Sequence, residues 1–481
     1  MTFKLVFLGT DLVLFAMLML LVGYAWRVAT NANLRVTWEK VFRDPTAFGA
    51  AIVLALFAVV AMVDSVHFRR ALPAAAGVAS GAAVAYEPRT ESLLDLVLSR
   101  QIATREVGYS RPLAYEGFSK VPVVQNGESV RVFPRLVFGG AHLTDPASQW
   151  ADDVAMRAVL GLAGGVGAGA LVVLLTAWRV RRSHGGFTRA LADIGRDRTH
   201  YPLRAALATL AAICVLVGPV LALMHDYHVF GTDRTGNDVL YQSLKSVRTA
   251  FVIGTLATIA TLPFAIAFGV LAGYFKGWVD EVIQYLYTTL SSVPNVLLIA
   301  ACVLMVQVYL DQHTEMFETG SERADVKIFL LCVILGVTGW ATLCRLIRGE
   351  TLKLRELEFV QAATAFGVPA LRIMWRHVVP NVMHLVLITT VLGFSDLILY
   401  EAVLTYVGVG VDPSMNSFGG MINLARSQMS ENPVVWWSFA AAFAFMVTLV
   451  LAANLFADGV RDAFDPRSRS FRPRLRRAAM T

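Results

Sequence analysis

Nine long apolar runs constrain this chain more than any other feature of its sequence. They cover about 8–28, 46–66, 154–178, 203–225, 250–274, 283–309, 326–344, 382–405 and 434–457. A helix needs roughly 20 apolar residues to cross the hydrocarbon core of a bilayer, and each run has about that length. Backbone polar groups must find partners inside the membrane, so runs of this kind are expected to be helices. The sequence therefore predicts an all-α polytopic membrane protein.

The composition supports this class and excludes an ordinary soluble domain. Of the 481 residues, 56% are hydrophobic and 16% are charged, and the mean hydropathy is +0.59. The first run is too long for the core of a cleaved signal peptide and is expected to remain as an anchor. The shorter segment 71–85, rich in small residues, is predicted to be a linker and not a tenth span.

The distribution of Lys and Arg among the connecting segments predicts the orientation. If the C-terminus is cytoplasmic, the inside segments hold 23 Lys and Arg residues and the short outside segments hold 6. Basic residues favour the cytoplasmic side. We therefore predict an external N-terminus, an external segment at 67–153 and a cytoplasmic C-terminus. The basic tail, 467–481, is predicted to contact anionic membrane lipid and not nucleic acid.

A polar stretch separates the seventh and eighth apolar runs. Apolar residues recur at helical spacing between charged ones, which predicts an amphipathic helix over Thr351–Phe366. Gly367 is expected to end this helix, and Pro369 to begin a shorter one. Pro380 marks the start of the next apolar run. Two short helices held at the cytoplasmic side suit a docking surface for a partner; a plain connecting loop is the alternative.

The sequence contains no motif for nucleotide binding or catalysis. It has no Gly-x-x-x-x-Gly-Lys-Ser/Thr loop, so the chain is not expected to bind ATP in that way. It also has no Gly-x-Ser-x-Gly and no His-Glu-x-x-His motif. His225 and His228 are three residues apart but lack an evident third ligand, so no metal site is predicted. We therefore expect no enzymatic activity from this chain alone.

Two acidic residues lie inside the eighth apolar run, where a charge is costly and often functional. Asp396 is nearer the middle of the run and Glu401 nearer its outer end, about 140° apart around a helix. They are candidate charges of a water-filled pathway that attracts a cationic group such as a peptide amine. Pairing with polar groups of neighbouring helices is the alternative.

Four motifs in the second half of the chain resemble the membrane subunit of bacterial peptide-importing ABC transporters. The resemblance covers about 225–467 and is closest to the second permease of dipeptide, oligopeptide and nickel systems. The motifs, in order, are Phe230–Leu240, Gly273–Asp280, the EAA-like cytoplasmic loop Leu357–Asn381, and Tyr406–Val411 with Asp458–Pro466. Departures from the family pattern are Asn237 in place of Arg, and Gln361 in place of Glu.

The resemblance implies a type I importer permease core of six helices at 203–466. Two extra spans in 1–66 and a third in 154–202, together with the external segment 67–153, have no counterpart in a typical six-span member. The implied location is the bacterial inner membrane. The implied partners are a homologous permease, two ATP-binding-cassette ATPase subunits and an extracytoplasmic solute-binding protein. No cofactor is expected on this chain, because ATP and Mg²⁺ would bind to the ATPases.

The resemblance also implies two functional regions. The first is an ATPase-coupling loop with Glu358, Gln361, Ala362, Ala363, Gly367 and Pro380. The second is an outer-entrance motif with Gly231, Thr232, Asp233, Gly236 and Asp238, in which Asp233 and Gly236 are interpreted first as turn formers and then as substrate contacts.

The function predicted from these features is that of a permease subunit for di- or oligopeptides. Import of nickel or another small solute fits the same class of protein. A different class is a non-transporting membrane scaffold or sensor whose working part is the N-terminal half. Neighbouring genes for a second permease, ATPases and a binding protein would favour transport over the scaffold.

Overall fold

The computed structural model describes residues 3–71, 86–87, 90–125, 128–182, 185–317, 319–431 and 433–464. Within them, eight helices are long and apolar enough to cross a membrane, and a bent helix pair is a ninth candidate. The all-α polytopic fold class is thereby confirmed. The tail 467–481 and most of the predicted linker 71–85 lie outside the described residues.

The N-terminal extension, defined as residues 1–202, contributes three spans and a small extramembrane region. Strand β2 pairs antiparallel with both β1 and β3, so the start of the chain lies beside the region that follows α3. Strands β4 and β5 form a hairpin. The elements are β1 (Phe3–Val6), α1 (Gly9–Thr30), α2 (Ala32–Arg43), α3 (Pro45–Asp64), β2 (His67–Arg70), β3 (Glu91–Ser92), α4 (Leu93–Val97), α5 (Ser99–Ala103), β4 (Val121–Gln125), β5 (Glu128–Val132), α6 (Pro146–Val180) and α7 (Phe187–Gly195).

The core, defined as residues 203–466, has helices and no β-strand in its described part. Its helices are α8 (Leu203–Leu223), α9 (Val239–Phe275), α10 (Gly277–Ser292), α11 (Asn295–Gln312), α12 (Gly320–Gly339), α13 (Ala341–Arg355), α14 (Glu358–Ala365), α15 (Ala370–Ile373), α16 (Val379–Tyr406), α17 (Phe418–Gln428) and α18 (Trp437–Phe464). A π-helical turn, Met374–Val378, joins α15 to α16. Helices α12 and α13 form the bent pair, with an angle of 42°.

Two predicted helices are interrupted in the structure. The run 283–309 is divided between α10 and α11 at Val293, because Pro294 disfavours a helical conformation at the residue before it. The prediction of one helix over Thr351–Phe366 was wrong. Helix α13 ends at Arg355, and Leu357 is extended, with φ −73° and ψ 142°, before α14 begins. Contacts of the end of α13 with a neighbouring turn, described below, fix this break.

A glycine stripe explains the close packing of the extension against the first core helix. Gly161, Gly165 and Gly169 of α6 are buried and face α8. A Cβ on Gly165 would lie 2.3 Å from the Cys214 carbonyl oxygen, whereas one on Gly164 would meet nothing within 4 Å. Small residues at one-turn spacing let two membrane helices approach closely.

The other helices of the extension also pack on the core. Helix α3 contacts α8, α9 and α18, and α1 contacts α9 and α12. On the side of the membrane opposite β1, the ring of Trp38 in α2 lies 6.5 Å from that of Phe456 and 5.6 Å from that of Phe464. The extension therefore holds the core at both faces of the membrane.

Candidate functional site

The polar stretch after α13 forms a helical loop that projects from the bundle. Helix α14 ends at a turn in which Gly367 has φ +74°, a left-handed conformation that favours glycine. Pro369 then occupies the cap position before α15, and Pro380 lies in the first turn of α16. The structure therefore has the two short helices and the glycine turn that the sequence predicts.

One face of this loop is anchored in the core. The side chains of Val360 and Ile373 are 1% and 0% exposed, and both join the buried cluster around Tyr274. Arg355 donates a 2.7 Å hydrogen bond to the Tyr274 carbonyl oxygen. The loop is thus attached both by its apolar residues and through the end of α13.

The second family-like motif, Gly273–Asp280, packs directly beneath the loop. A Cβ on Gly273 would lie 2.6 Å from that of Thr351, so only glycine allows this approach. Arg348 makes two hydrogen bonds to Asp280, of 2.5 and 2.7 Å. These bonds hold the pKa of the Asp280 carboxyl below its ordinary value, although partial burial opposes the shift. The loop and this turn therefore form one connected unit.

The opposite face of the loop is exposed and apolar. Phe366, Leu371 and Trp375 are 86%, 76% and 76% exposed. Large apolar side chains that are exposed on a solvent-facing surface are typical of an interaction site. Phe366 precedes the candidate span Ala370–Tyr406, and Leu371 and Trp375 lie in its first two turns. The partner for this face is therefore expected at the edge of the bilayer.

The remaining predicted loop residues surround this apolar face. Ala362 is exposed and Ala363 is half-buried against the core cluster. Gln361 is exposed, and its Nε2 donates to the Glu356 carbonyl oxygen at 3.2 Å. Glu358 is exposed in the first turn of α14. The small pair thus leaves a shallow surface, and the Gln361 side chain is directed to the break before α14.

The glycines of the outer-entrance motif shape a buried turn directly before α9. Gly231 and Gly236 have φ values of +72° and +79°. A Cβ on Gly231 would lie 2.4 Å from the Ser110 carbonyl oxygen, and one on Gly236 would lie 1.8 Å from that of Glu106. The two glycines therefore form the turn and admit the extension backbone close against it.

The polar side chains of this motif are buried and hydrogen-bonded within the chain. The Thr232 hydroxyl accepts from the Ser110 backbone N–H at 2.7 Å. Asp233 accepts from Gln242 Nε2 at 2.6 Å and from two backbone N–H groups of its own turn. Asp238 caps α9 by accepting from two backbone N–H groups at 2.8 and 3.1 Å. These hydrogen bonds give Thr232, Asp233 and Asp238 a structural role in the turn, which the extension covers.

A buried histidine joins the same turn to the extension. His228 Nδ1 lies 2.8 Å from Asp238 Oδ2, and His228 Nε2 lies 3.6 Å from Glu106 Oε1. Burial alone would lower the pKa of His228, but the two carboxylates raise it to about 9. Burial likewise opposes ionisation of Glu106, but His228 and the backbone N–H groups of 137–139 lower its pKa to about 2. The pair is therefore ionised at neutral pH.

His225, the other histidine considered as a metal ligand, is separate from the group formed by His228, Asp238 and Glu106. His225 is 60% exposed, and its Nδ1 lies 3.0 Å from Asp226. His225 and His228 therefore have different partners. In the part of the chain that the structure describes, no group of three or more His, Cys, Asp or Glu residues has a geometry suited to a metal ion.

The two acidic residues of α16 face different surroundings. Asp396 is exposed and lines an open cleft of about 360 Å³ between α9, the bent pair and α16, together with polar residues such as Thr258 and Asn295. Glu401 is 1% exposed and accepts a 2.8 Å hydrogen bond from Thr405. It packs against the start of α17, where a Cβ on Gly419 would lie 3.0 Å from its Oε1. The structure does not bring the two carboxylates together.

Sequence reasoning missed a set of buried acidic residues in the extension. Asp11, Asp64, Asp95 and Glu106 are between 0% and 8% exposed, and all four lie at the boundary with the core. Asp11 lies inside the first apolar run. A carboxylate inside an apolar run is the same signal that identified Asp396 as a candidate. Asp95 and Glu106 lie in a polar segment, where nothing in the sequence distinguishes a buried carboxylate from a solvated one.

Comparison with known proteins identifies relatives of the core. Residues 265–470 match the family described as binding-protein-dependent transport system inner membrane component. The chain is 32% identical over 292 residues to the oligopeptide transport system permease protein OppC of Mycobacterium tuberculosis, which covers 57% of this chain and 94% of that protein. It is 32% identical over 246 residues to OppC of Haemophilus influenzae, covering 51% and 72%. It is 30% identical over 243 residues to the dipeptide transport system permease protein DppC of Alkalihalophilus pseudofirmus, covering 50% and 73%.

Proposed function

Because this chain belongs to the family of binding-protein-dependent transport system inner membrane components, we propose that it is the permease subunit of an ATP-driven importer of di- or oligopeptides. The names of the oligopeptide and dipeptide permeases among its relatives support this substrate class. The partners are a second, homologous permease, two ATPase subunits that bind ATP and Mg²⁺, and an extracytoplasmic solute-binding protein. The chain supplies about half of the translocation pathway and lies in a bacterial inner membrane.

The observation that carries this proposal is the projecting loop with its exposed apolar face. Phe366, Leu371 and Trp375 form the surface that contacts a cytoplasmic ATPase, while Val360 and Ile373 hold the loop to the core. The exposed Ala362 allows the partner to approach the backbone of α14 closely. One face of the loop is therefore available to bind the ATPase, and the other face is packed against the core.

The anchoring contacts give a physical route for the coupling. The Arg348–Asp280 pair and the hydrogen bond from Arg355 to Tyr274 join the loop to the inner ends of α9 and α10. When the ATPases close on ATP, the loop moves with them and shifts these helices as a rigid body. The cleft at Asp396 then changes its access from one side of the membrane to the other, which requires two states with different contacts.

The cleft around Asp396 is the part of this chain that contributes to the pathway. It is mostly apolar, with threonine and asparagine side chains and one carboxylate. Such a surface tolerates varied peptide side chains, while the carboxylate attracts the amino terminus that peptides share. The homologous permease closes the open side of this cleft.

The coupling is tested in the assembled complex by peptide-stimulated ATPase activity. Replacing Phe366 and Trp375 with Glu is expected to abolish the stimulation or release the ATPases, because two charges replace the apolar contact. Ala362→Arg is expected to act similarly, because it adds bulk and charge at the exposed member of the small pair. Phe187→Glu in α7, where the native side chain is 38% exposed, is the matched control and should leave the stimulation unchanged. Wild-type stimulation in the loop variants would refute the assignment of the loop.

A further inference from the structure

The buried acidic residues of the extension each face a cation of the core. The carboxylates belong to Asp11, Asp64, Asp95 and Glu106, and the cations to Lys245, Arg248 and His228. All three cations lie in α9 or within eleven residues before it. In these buried pairs the negative charge lies on the extension and the positive charge on the core. More exposed pairs of the same interface have the opposite arrangement, with Arg69, Arg100 and Arg157 of the extension facing carboxylates of the core.

Lys245 lies between two of these carboxylates. Its Nζ is 2.8 Å from Asp64 Oδ1 and 2.9 Å from Asp95 Oδ1. It also donates to the Ser92 hydroxyl at 3.2 Å. All three partners of this ammonium group come from the extension.

Arg248, one turn further along α9, is held in the same way. Its Nη2 donates to Asp11 Oδ1 at 2.5 Å and to Thr10 Oγ1 at 2.9 Å. Its Nε donates to Ser65 Oγ at 3.3 Å. His67 Nδ1 lies 2.7 Å from the second oxygen of Asp11, which fixes that carboxylate. Residues of α1 and the residue that caps the C-terminal end of α3 thus all contact Arg248.

Separating these groups is costly. Breaking a buried ion pair leaves an uncompensated charge in a poorly solvated place, which changes an equilibrium by about a hundredfold or more for each pair. The side chains of Lys245 and Arg248 are 14% and 5% exposed and line a cavity of about 400 Å³, so water replaces their partner charges only in part. Any movement of the outer half of α9 away from the extension would have to separate several such pairs at once.

We propose that the described parts of residues 3–143 form an electrostatic brace that fixes the outer half of α9 and the turn before it. The brace is an integral part of the folded permease and not an appended domain. During transport it keeps this outer region in one position relative to the extension, so that the rigid-body shift imposed through the 351–380 loop moves α9 and the extension together. The ionic attachment does not depend on the proposed transport function. The fixed position during the transport cycle rests on that proposed function.

The attachment is tested by removing and then exchanging the charges in the full chain. Lys245→Met is expected to lower the unfolding temperature in detergent by about 5 °C or more. The double variant Lys245→Glu with Asp64→Lys restores one cation between two carboxylates and should recover most of the loss. Lys276→Met, which removes an exposed pair with Glu356, is the matched control and should have little effect. An unchanged unfolding temperature for Lys245→Met would overturn the attachment.

The fixed position is tested by a reversible cross-link across the interface. The side-chain oxygens of Thr90 and Ser321 are 3.4 Å apart and join the extension to the start of α12, which packs on α9. In the complex with its partners, Thr90→Cys with Ser321→Cys should keep ATP-driven peptide uptake after complete oxidation, because the two sides do not separate. Uptake that is lost on oxidation and restored by reductant would overturn the brace. If the reduced variant and the wild type both fail to transport, the proposed function fails, and the unfolding temperatures still decide the attachment.

Discussion

At the scale of single residues, burial and partners separate charges that look alike in the sequence. Asp396 and Glu401 lie five positions apart in one apolar run, yet one is exposed in a cleft and the other is 1% exposed under α17. His225 and His228 show the same contrast, because only His228 lies between two buried carboxylates. The function of each group therefore depends on its surroundings and not on its residue type.

The exposure of Asp396 predicts an effect on transport without an effect on folding. Asp396→Asn should leave the amount of folded protein unchanged. It should reduce uptake of peptides with a free amino terminus by about tenfold, the size expected when a charge-assisted contact is lost. The measurement is uptake of one peptide with a free terminus and of the same peptide after acetylation. Equal uptake of both peptides by wild type and variant would contradict a pathway role for this carboxylate.

The raised pKa of His228 predicts that the folded protein loses stability at alkaline pH. Its pKa is raised from 6.5 to about 9 in the folded protein, so its stabilising effect is complete below pH 6.5 and is lost as the pH rises through 9. The difference corresponds to about 3 kcal/mol. The unfolding temperature of wild type should therefore fall more steeply between pH 7 and 10 than that of His228→Asn. His313→Gln, at a histidine whose Nδ1 lies 2.9 Å from a backbone carbonyl oxygen, is the control and should keep the wild-type profile.

At the scale of elements, close contacts depend on which side of a helix faces a neighbour. Gly161, Gly165 and Gly169 of α6 form a stripe toward α8, but Gly164, which directly precedes Gly165, lies off that stripe. Helices α13 and α14 likewise share one apolar periodicity in the sequence. Contacts of the end of α13 with the Gly273–Asp280 turn nevertheless separate them, so that α13 ends at Arg355 and α14 begins at Glu358.

The glycine stripe gives a prediction with an internal control. Gly165→Leu should strongly lower the unfolding temperature, because its Cβ alone would lie 2.3 Å from the Cys214 carbonyl oxygen and α6 would have to move away from α8. Gly164→Leu, one position earlier, has open space for its Cβ and should be neutral or slightly stabilising. A similar effect of both substitutions on thermal unfolding in detergent would contradict the packing of α6 on α8.

At the scale of the whole molecule, the extension and the core form one body with two distinct faces. The strand pairing of β1 with β2 puts the first described residues beside the extramembrane region of the extension. The excess of Lys and Arg in the other loops favours the cytoplasm for the opposite face, which includes the 351–380 loop. We infer from both that the N-terminus is external and the C-terminus cytoplasmic.

Labelling of single cysteines in intact cells tests this orientation. The four native cysteines, which lie in membrane helices, are first replaced by Ala. Val107→Cys, at a residue that is 93% exposed, should react with a membrane-impermeant maleimide added outside. Phe366→Cys should react only after lysis. The reverse pattern would invert the topology and would place the apolar loop on the wrong side for an ATPase.

The sequence by itself determined the class of the protein, its long apolar spans and the helical loop with its glycine turn. These features depend on local composition and spacing, since a bilayer requires long apolar helices and a left-handed turn favours glycine. Only the tertiary structure decided the rest. The pairing of Asp11 with Arg248 and of Asp64 with Lys245 joins residues more than 180 positions apart. Burial of charge is set by what the chain folds against, so no local pattern reveals that the extension neutralises the outer end of α9.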